Sequence, residues 1–272
     1  MAILAPISIT GSVGKGGRNA PSDVKNIQKR LNDLMPPSRQ QLAVDGFNGP
    51  KTEAMIADFQ KSVLKFQFPD SRVDPNNKTI AGLNDPDAST AWQSAGVRKA
   101  VQLHFRSISL TNVSFDEQFK GAVDVYAQYD IEVRFMSGKS CQLSKEDREK
   151  FKRVDTSCVV GNDEWSVLQT LLNDVPSSDI CVFFVGQLFD PAEKPGQEIF
   201  LGCGAFRPGA PACAVAANAN KFDMAHEVGH VLGLKHDMTA NNLMHPTQDV
   251  YPGLPALTLG QRATIRKSPL CR

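Results

Sequence analysis

The sequence predicts an α+β protein of two domains: a small helical module over residues 1–84, a linker over 85–96, and a mixed β-sheet with helices packed against it over 97–272. Amphipathic helical segments separated by turn residues define the first domain. Alternating strand-like and helix-like segments define the second, because that alternation argues a sheet covered by helices. A third observation organises the second domain. His226-Glu227-Val228-Gly229-His230-Val231-Leu232-Gly233-Leu234-Lys235-His236 sets three imidazoles and a carboxylate at fixed spacing, with Asn242-Leu243-Met244-His245-Pro246 close behind.

In the first module, residues 11–17 are a glycine-rich lead-in, and Ser22 or Asp23 is the expected cap of a helix through Val24, Ile27, Gln28 and Leu31. Pro36 and Pro37 end it, since proline cannot donate an amide proton. Val44-Asp45-Gly46-Phe47 is a turn, Thr52 a second expected cap, and Ala54, Met55, Ile56, Phe59 and Gln60 belong to a second amphipathic helix. Val73-Asp74-Pro75 and residues 79–83 repeat the turn-and-helix theme, and residues 84–90, polar and proline-containing, suit the linker.

In the second domain, Val101, Leu103, Phe105 and Ile108 alternate with polar residues as a half-buried strand does. Residues 115–129 read as a helix, 131–135 as a strand, 145–152 as a solvated charged face and 165–172 as a short helix. Ile180–Val185 reads as a fully buried central strand, 213–217 as a shorter strand before the histidine helix, and 257–266 as a capped terminal helix.

The formal net charge of +1 and the absence of a dense basic block exclude a dedicated nucleic-acid or anionic-membrane binder. The longest apolar run, residues 180–186, is too short to cross a bilayer. Residues 1–7 carry no basic leader and are broken by Pro6, so no secretory signal peptide is read there. Work inside the cell and export by a route that reads no such signal both stay open. Six cysteines, Cys141, Cys158, Cys181, Cys203, Cys213 and Cys271, all follow residue 140. Their even number suits disulfides, and a loop-closing Cys203–Cys213 bridge is the first expectation. Buried reduced cysteines are the competing reading, which Cys181 fits best.

The histidine stretch carries the chemistry. Residues on a helix advance about 100° each, so His226 and His230 point the same way and can grip one ion. Phe222, Ala225, Val228, Gly229 and Leu232 form a neighbouring apolar face for the core. Gly233 can end the helix at positive φ, which brings His236 in as a third ligand. Three neutral imidazoles around one Zn2+ leave a position open for water, and Glu227 is the expected general base of metal-assisted amide hydrolysis. His104, in an apolar strand-like run, and His245, after the methionine, are read as non-ligands.

These residues resemble the metzincin clan of zinc peptidases, whose pattern is HExxHxxGxxH followed by a methionine turn. The resemblance makes Met244 the hydrophobic floor beneath the ligands. The short gap from His236 to Met244 and the following Pro246 look matrixin-like, whereas Asp237 after the third histidine looks adamalysin-like. Pro246 stands where other metzincins place a metal-reaching tyrosine, so a fifth ligand is not expected. The resemblance also implies an antiparallel edge strand upstream of the zinc helix, at residues 211–217, for docking an extended peptide. Asp23-Val24-x-x-Ile27-Gln28-x-x-Leu31, Val44-Asp45-Gly46, Gly49-Pro50-x-Thr52 and Phe59-Gln60 resemble a three-helix peptidoglycan-binding-like domain of bacterial wall enzymes and phage proteins.

Together the resemblances imply a zinc endopeptidase acting on proteins, with a module directed to peptidoglycan or a wall-bound partner. Three alternatives stay open: a hydrolase of peptidoglycan stem peptides, a delivered bacterial effector toxin, and a wall-binding protein whose zinc site is inert. An extracytoplasmic location follows from the wall-directed reading.

Overall fold

The computed structural model describes residues 4–109, 112–150, 154–155, 168–189, 199–200, 202–205, 210–247 and 251–272. The chain divides into two compact units, Met1–Val97 and Arg98–Arg272.

The first unit holds β1 (Val13–Gly14), α1 (Pro21–Leu34), α2 (Pro50–Ser62), β2 (Arg72–Val73), α3 (Lys78–Leu83) and α4 (Ala88–Gln93), with β1 and β2 paired antiparallel. Val24, Ile27, Leu31, Ile56, Phe59, Leu83 and Trp92 form its core. The expected caps are replaced. Helix α1 starts at Pro21 behind Ala20, and Asp23 instead accepts from the Thr10 and Gly11 amides. Helix α2 starts at Pro50 behind Gly49, because proline at the first helical position needs no donor there.

Two buried glutamines show an internal repeat. Gln28 donates to Asp45 Oδ1 at 2.9 Å and accepts from Gly46 N at 3.0 Å, while Thr52 Oγ1 lies 3.3 Å from its amide. Gln60 donates to Asp70 Oδ1 at 2.6 Å and accepts from Ser71 N at 3.0 Å, with Thr79 Oγ1 at 3.1 Å. Each helix thus uses one side-chain amide to fasten the turn that follows it. The third repeat expected at residues 79–83 is α3, and a fourth helix, α4, occupies much of the segment expected as linker. Trp92 on α4 is buried edge-on to Phe59, 5.0 Å between centroids, and donates to Asp58 at 2.7 Å.

In the second unit, β3 (Lys99–Ser107), α5 (Phe115–Ala127), β4 (Ile131–Ser140), α6 (Lys145–Lys150), β5 (Val154–Asp155), β6 (Ile180–Val185), β7 (Leu188–Phe189), β8 (Ile199–Phe200), β9 (Gly202–Ala205), β10 (Ala212–Ala216), α7 (Asp223–Val231) and α8 (Leu259–Lys267) follow in order. Strands β5, β7 and β8 make a small sheet. The main sheet runs β4-β3-β6-β10-β9, with every pair parallel except the antiparallel β10–β9 pair. Strand β6 is buried on both faces, as a central parallel strand must be. Val182 and Phe184 meet Val125, Tyr126 and Val228 on the helical face, whereas Cys181, Phe183 and Val185 join Leu168, Leu188 and Ala214 on the other.

The edge strand differs from expectation. Residues 212–216, Ala-Cys-Ala-Val-Ala, are wholly buried between β6 and β9, and the antiparallel edge beside α7 is β9. Small side chains let β10 lie under α7, which no alternation pattern encodes. The Cys203–Cys213 expectation also fails, because Cys213 is a free buried thiol. Cys141, Cys181 and Cys271 are free as well, while Cys158 and the start of the helix expected at 165–172 lie outside the described residues.

Candidate metal centre

Helix α7 packs on β10 and β9, and Tyr126 of α5 donates its hydroxyl to Ala225 O at 2.8 Å, so the histidine-bearing turn is held from the core side. His226 is buried, His230 half-buried and His236 exposed, which grades the site from core to solvent. Helix α7 ends where expected: Gly233 has φ 99°, and Leu234 N donates back to Gly229 O at 2.9 Å. That reversal aims His236 at the other two rings.

The backbone fixes the imidazoles. His226 Nδ1 donates to Leu243 O at 2.7 Å and His230 Nδ1 donates to Leu234 O at 2.9 Å. A carbonyl only accepts, so each Nδ1 carries the proton and each Nε2 is left with a bare lone pair. Yet His226 Nε2 lies 3.1 Å from His230 Nε2, which lies 3.1 Å from His236 Nε2. Two bare nitrogens cannot satisfy each other, whereas a cation between them satisfies all three. Tetrahedral zinc, with Zn–N of about 2.05 Å, sets its nitrogen ligands about 3.3 Å apart. The donor set therefore fits zinc. Burial and the neighbouring His230 hold the His226 pKa down to about 4, and burial lowers those of His230 and His236, so the rings stay neutral as ligands must be.

The loop behind the three histidines is equally determined. Met244 is fully buried against α7, and a Cβ at Gly229 would fall 2.7 Å from its Sδ. Asn242 Oδ1 accepts from Met244 N at 2.8 Å, and its amide pairs reciprocally with Gln261 of α8. Asp237 is the acceptor of a local turn, Thr239 N to Oδ1 at 2.9 Å. His104 lies elsewhere, between Ser137 Oγ at 2.8 Å and Asp179 Oδ2 at 3.1 Å, and His245 turns to Thr247, so neither joins the cluster.

Sequence reasoning missed Tyr251 and the Leu243 carbonyl. Tyr251 donates to Leu243 O at 2.7 Å, the same oxygen that holds His226, and burial pushes its phenol well above the usual tyrosine range, a shift that keeps it a donor. No side-chain pattern encodes a backbone acceptor, and Tyr251 stands outside the recognised spacing. Gly202 was missed too. It stands on β9 beside Glu227, a residue 5% exposed.

Residues 20–75 match the family model described as a putative peptidoglycan binding domain. Solved structures similar to the chain include metalloproteinase-II from Bacteroides fragilis, at 12% identity and TM-score 0.43, covering 62% of this chain and 53% of that one. The chain thus spans about half the length of that protein. Archaemetzincin from Methanopyrus kandleri is similar at 12% identity and TM-score 0.38, covering 64% of this chain and 96% of that one. Archaemetzincin from Archaeoglobus fulgidus is similar at 15% identity and TM-score 0.34, covering 60% and 99%. No curated protein matches the chain.

Proposed function

We propose that this chain is a zinc-dependent endopeptidase of metzincin type whose first unit directs it to the bacterial cell wall. One observation carries the reading: three imidazole Nε2 atoms converge, and those of His226 and His230 are left bare because their Nδ1 protons are committed to backbone carbonyls. His226, His230 and His236 hold the ion, with Met244 and Gly233 as structural support. Bound there, zinc supplies Lewis acidity that acidifies water and polarises a carbonyl. Glu227, the residue after the first ligand, takes the water's proton and returns it to the departing amine. Strand β9 is the last strand of the sheet among the described residues, and such an edge suits an extended peptide, which adds as a further strand.

The peptidoglycan-binding match favours a second reading, in which the scissile bond lies in a peptidoglycan stem peptide. Both readings place the protein outside the cytoplasm, against the wall. The test incubates the zinc-loaded protein separately with casein and with purified sacculi, beside Glu227→Ala. Casein fragments from the native protein alone support the endopeptidase; soluble muropeptides with intact casein support the wall hydrolase. Equal cleavage by Glu227→Ala would end both.

A further inference from the structure

We infer that Gly202 is a positioning residue for Glu227: its missing side chain is the space in which the catalytic carboxylate lies. This inference rests on the reading of Glu227 as general base. A Cβ built at Gly202 would overlap Glu227 Cγ, Cδ and Oε1, three of the four heavy atoms beyond the Glu227 Cβ. Backbone conformation does not demand glycine here, since Gly202 is not among the positive-φ glycines, unlike Gly233. It is an ordinary strand residue, paired with Val215 in the antiparallel register. The requirement is for space alone.

The surroundings decide what would yield. Strand β9 is tied to β10, and α7 is tied through Ala225 to Tyr126 and packed on β10, so neither backbone can retreat easily. The rotatable part is the Glu227 side chain. With 5% of the residue exposed, the carboxylate is enclosed, so turning it takes it away from its present neighbours. An alanine at 202 would therefore turn the carboxylate away while leaving the three histidines, held by Leu243 and Leu234 carbonyls, where they are.

The test is Gly202→Ala, alone and combined with Glu227→Ala. On a cleaved member of a quenched fluorescent peptide library, Gly202→Ala should retain full zinc content and near-native KM while kcat falls about 100-fold, the usual result of a misplaced reacting group. The acidic limb of the kcat/KM profile, which reports the free enzyme's base, should move with it. The second measurement needs no activity. Gly202→Ala should lower Tm in the native background and leave it unchanged when Glu227 is already alanine, because the overlapping atoms are gone. An equal Tm loss in both backgrounds, loss of zinc, or an unaltered kcat overturns the inference. If Glu227→Ala itself still cleaves, the hydrolase reading falls, and the thermal cycle still reports whether Gly202 is matched to that side chain.

Discussion

Leu243 O is asked to accept from both His226 Nδ1 and Tyr251 Oη, each at 2.7 Å. A carbonyl has two lone pairs, so the phenol does not displace the imidazole but fixes the direction in which the carbonyl points. Removing groups that orient metal-bound histidines costs about 10–100-fold in metal affinity. Tyr251→Phe should therefore weaken zinc binding within that range, measured by chelator competition, with the fold intact by circular dichroism. A second expectation comes from His226 itself. In the metal-free protein its pKa is held near 4 against a reference of 6.5, so between those values the unfolded chain binds a proton that the folded chain refuses. Stability then falls as pH drops through that window. Tm of the chelator-treated protein should decline from pH 6.5 toward 4 more steeply than that of His226→Gln, and parallel curves would refute the assignment.

Helix α8 shows how an element far from the ligands reaches them. Its capping box joins Thr258 and Gln261, and the same Gln261 amide pairs with Asn242, which in turn holds the Met244 amide. Thr258→Ala should cost about 1 kcal/mol, the usual value of an N-cap, read as a lower urea midpoint at unchanged slope. This helix was legible because its cap stands directly before an apolar period. Strand β3 was legible from its alternation and β6 from its unbroken apolar run, while one turn of helix separates His226 from His230 and Gly233 ends that helix before His236. What the sequence could not order was the sheet. Whether residues 212–216 lie at its edge depends on what pairs beside them, and the Gly202–Ala205 strand that covers them has too little side chain to announce itself. The Ser22, Asp23 and Thr52 caps failed because prolines at 21 and 50 had already started their helices, freeing the Asp23 and Thr52 oxygens for longer-range bonds.

At the scale of the molecule, the question is where the first unit ends. A polar, proline-bearing segment reads as linker, yet Ala88, Ala91 and Trp92 within it are buried, and Trp92 meets Phe59 and Asp58. Asp58 also pairs with Arg39 at 2.8 Å, and Arg39 lies 5.9 Å from the Trp92 ring, so one indole closes a cluster drawn from three parts of the unit. Losing a buried tryptophan costs about 3–5 kcal/mol, which is most of what a domain of under 100 residues possesses. The boundary is therefore testable by truncation. A fragment of residues 1–97 should unfold in one cooperative urea transition, whereas a fragment of residues 1–84 should show none or one at much lower urea, with Trp92→Ala in the longer fragment falling between them. If residues 1–84 unfold with the same midpoint as 1–97, α4 is an appendage and the sequence-derived boundary was the physical one. Only a fragment that passes this test can be used to ask whether the first unit alone sediments with purified sacculi, since an unfolded module would bind nothing for reasons unrelated to recognition.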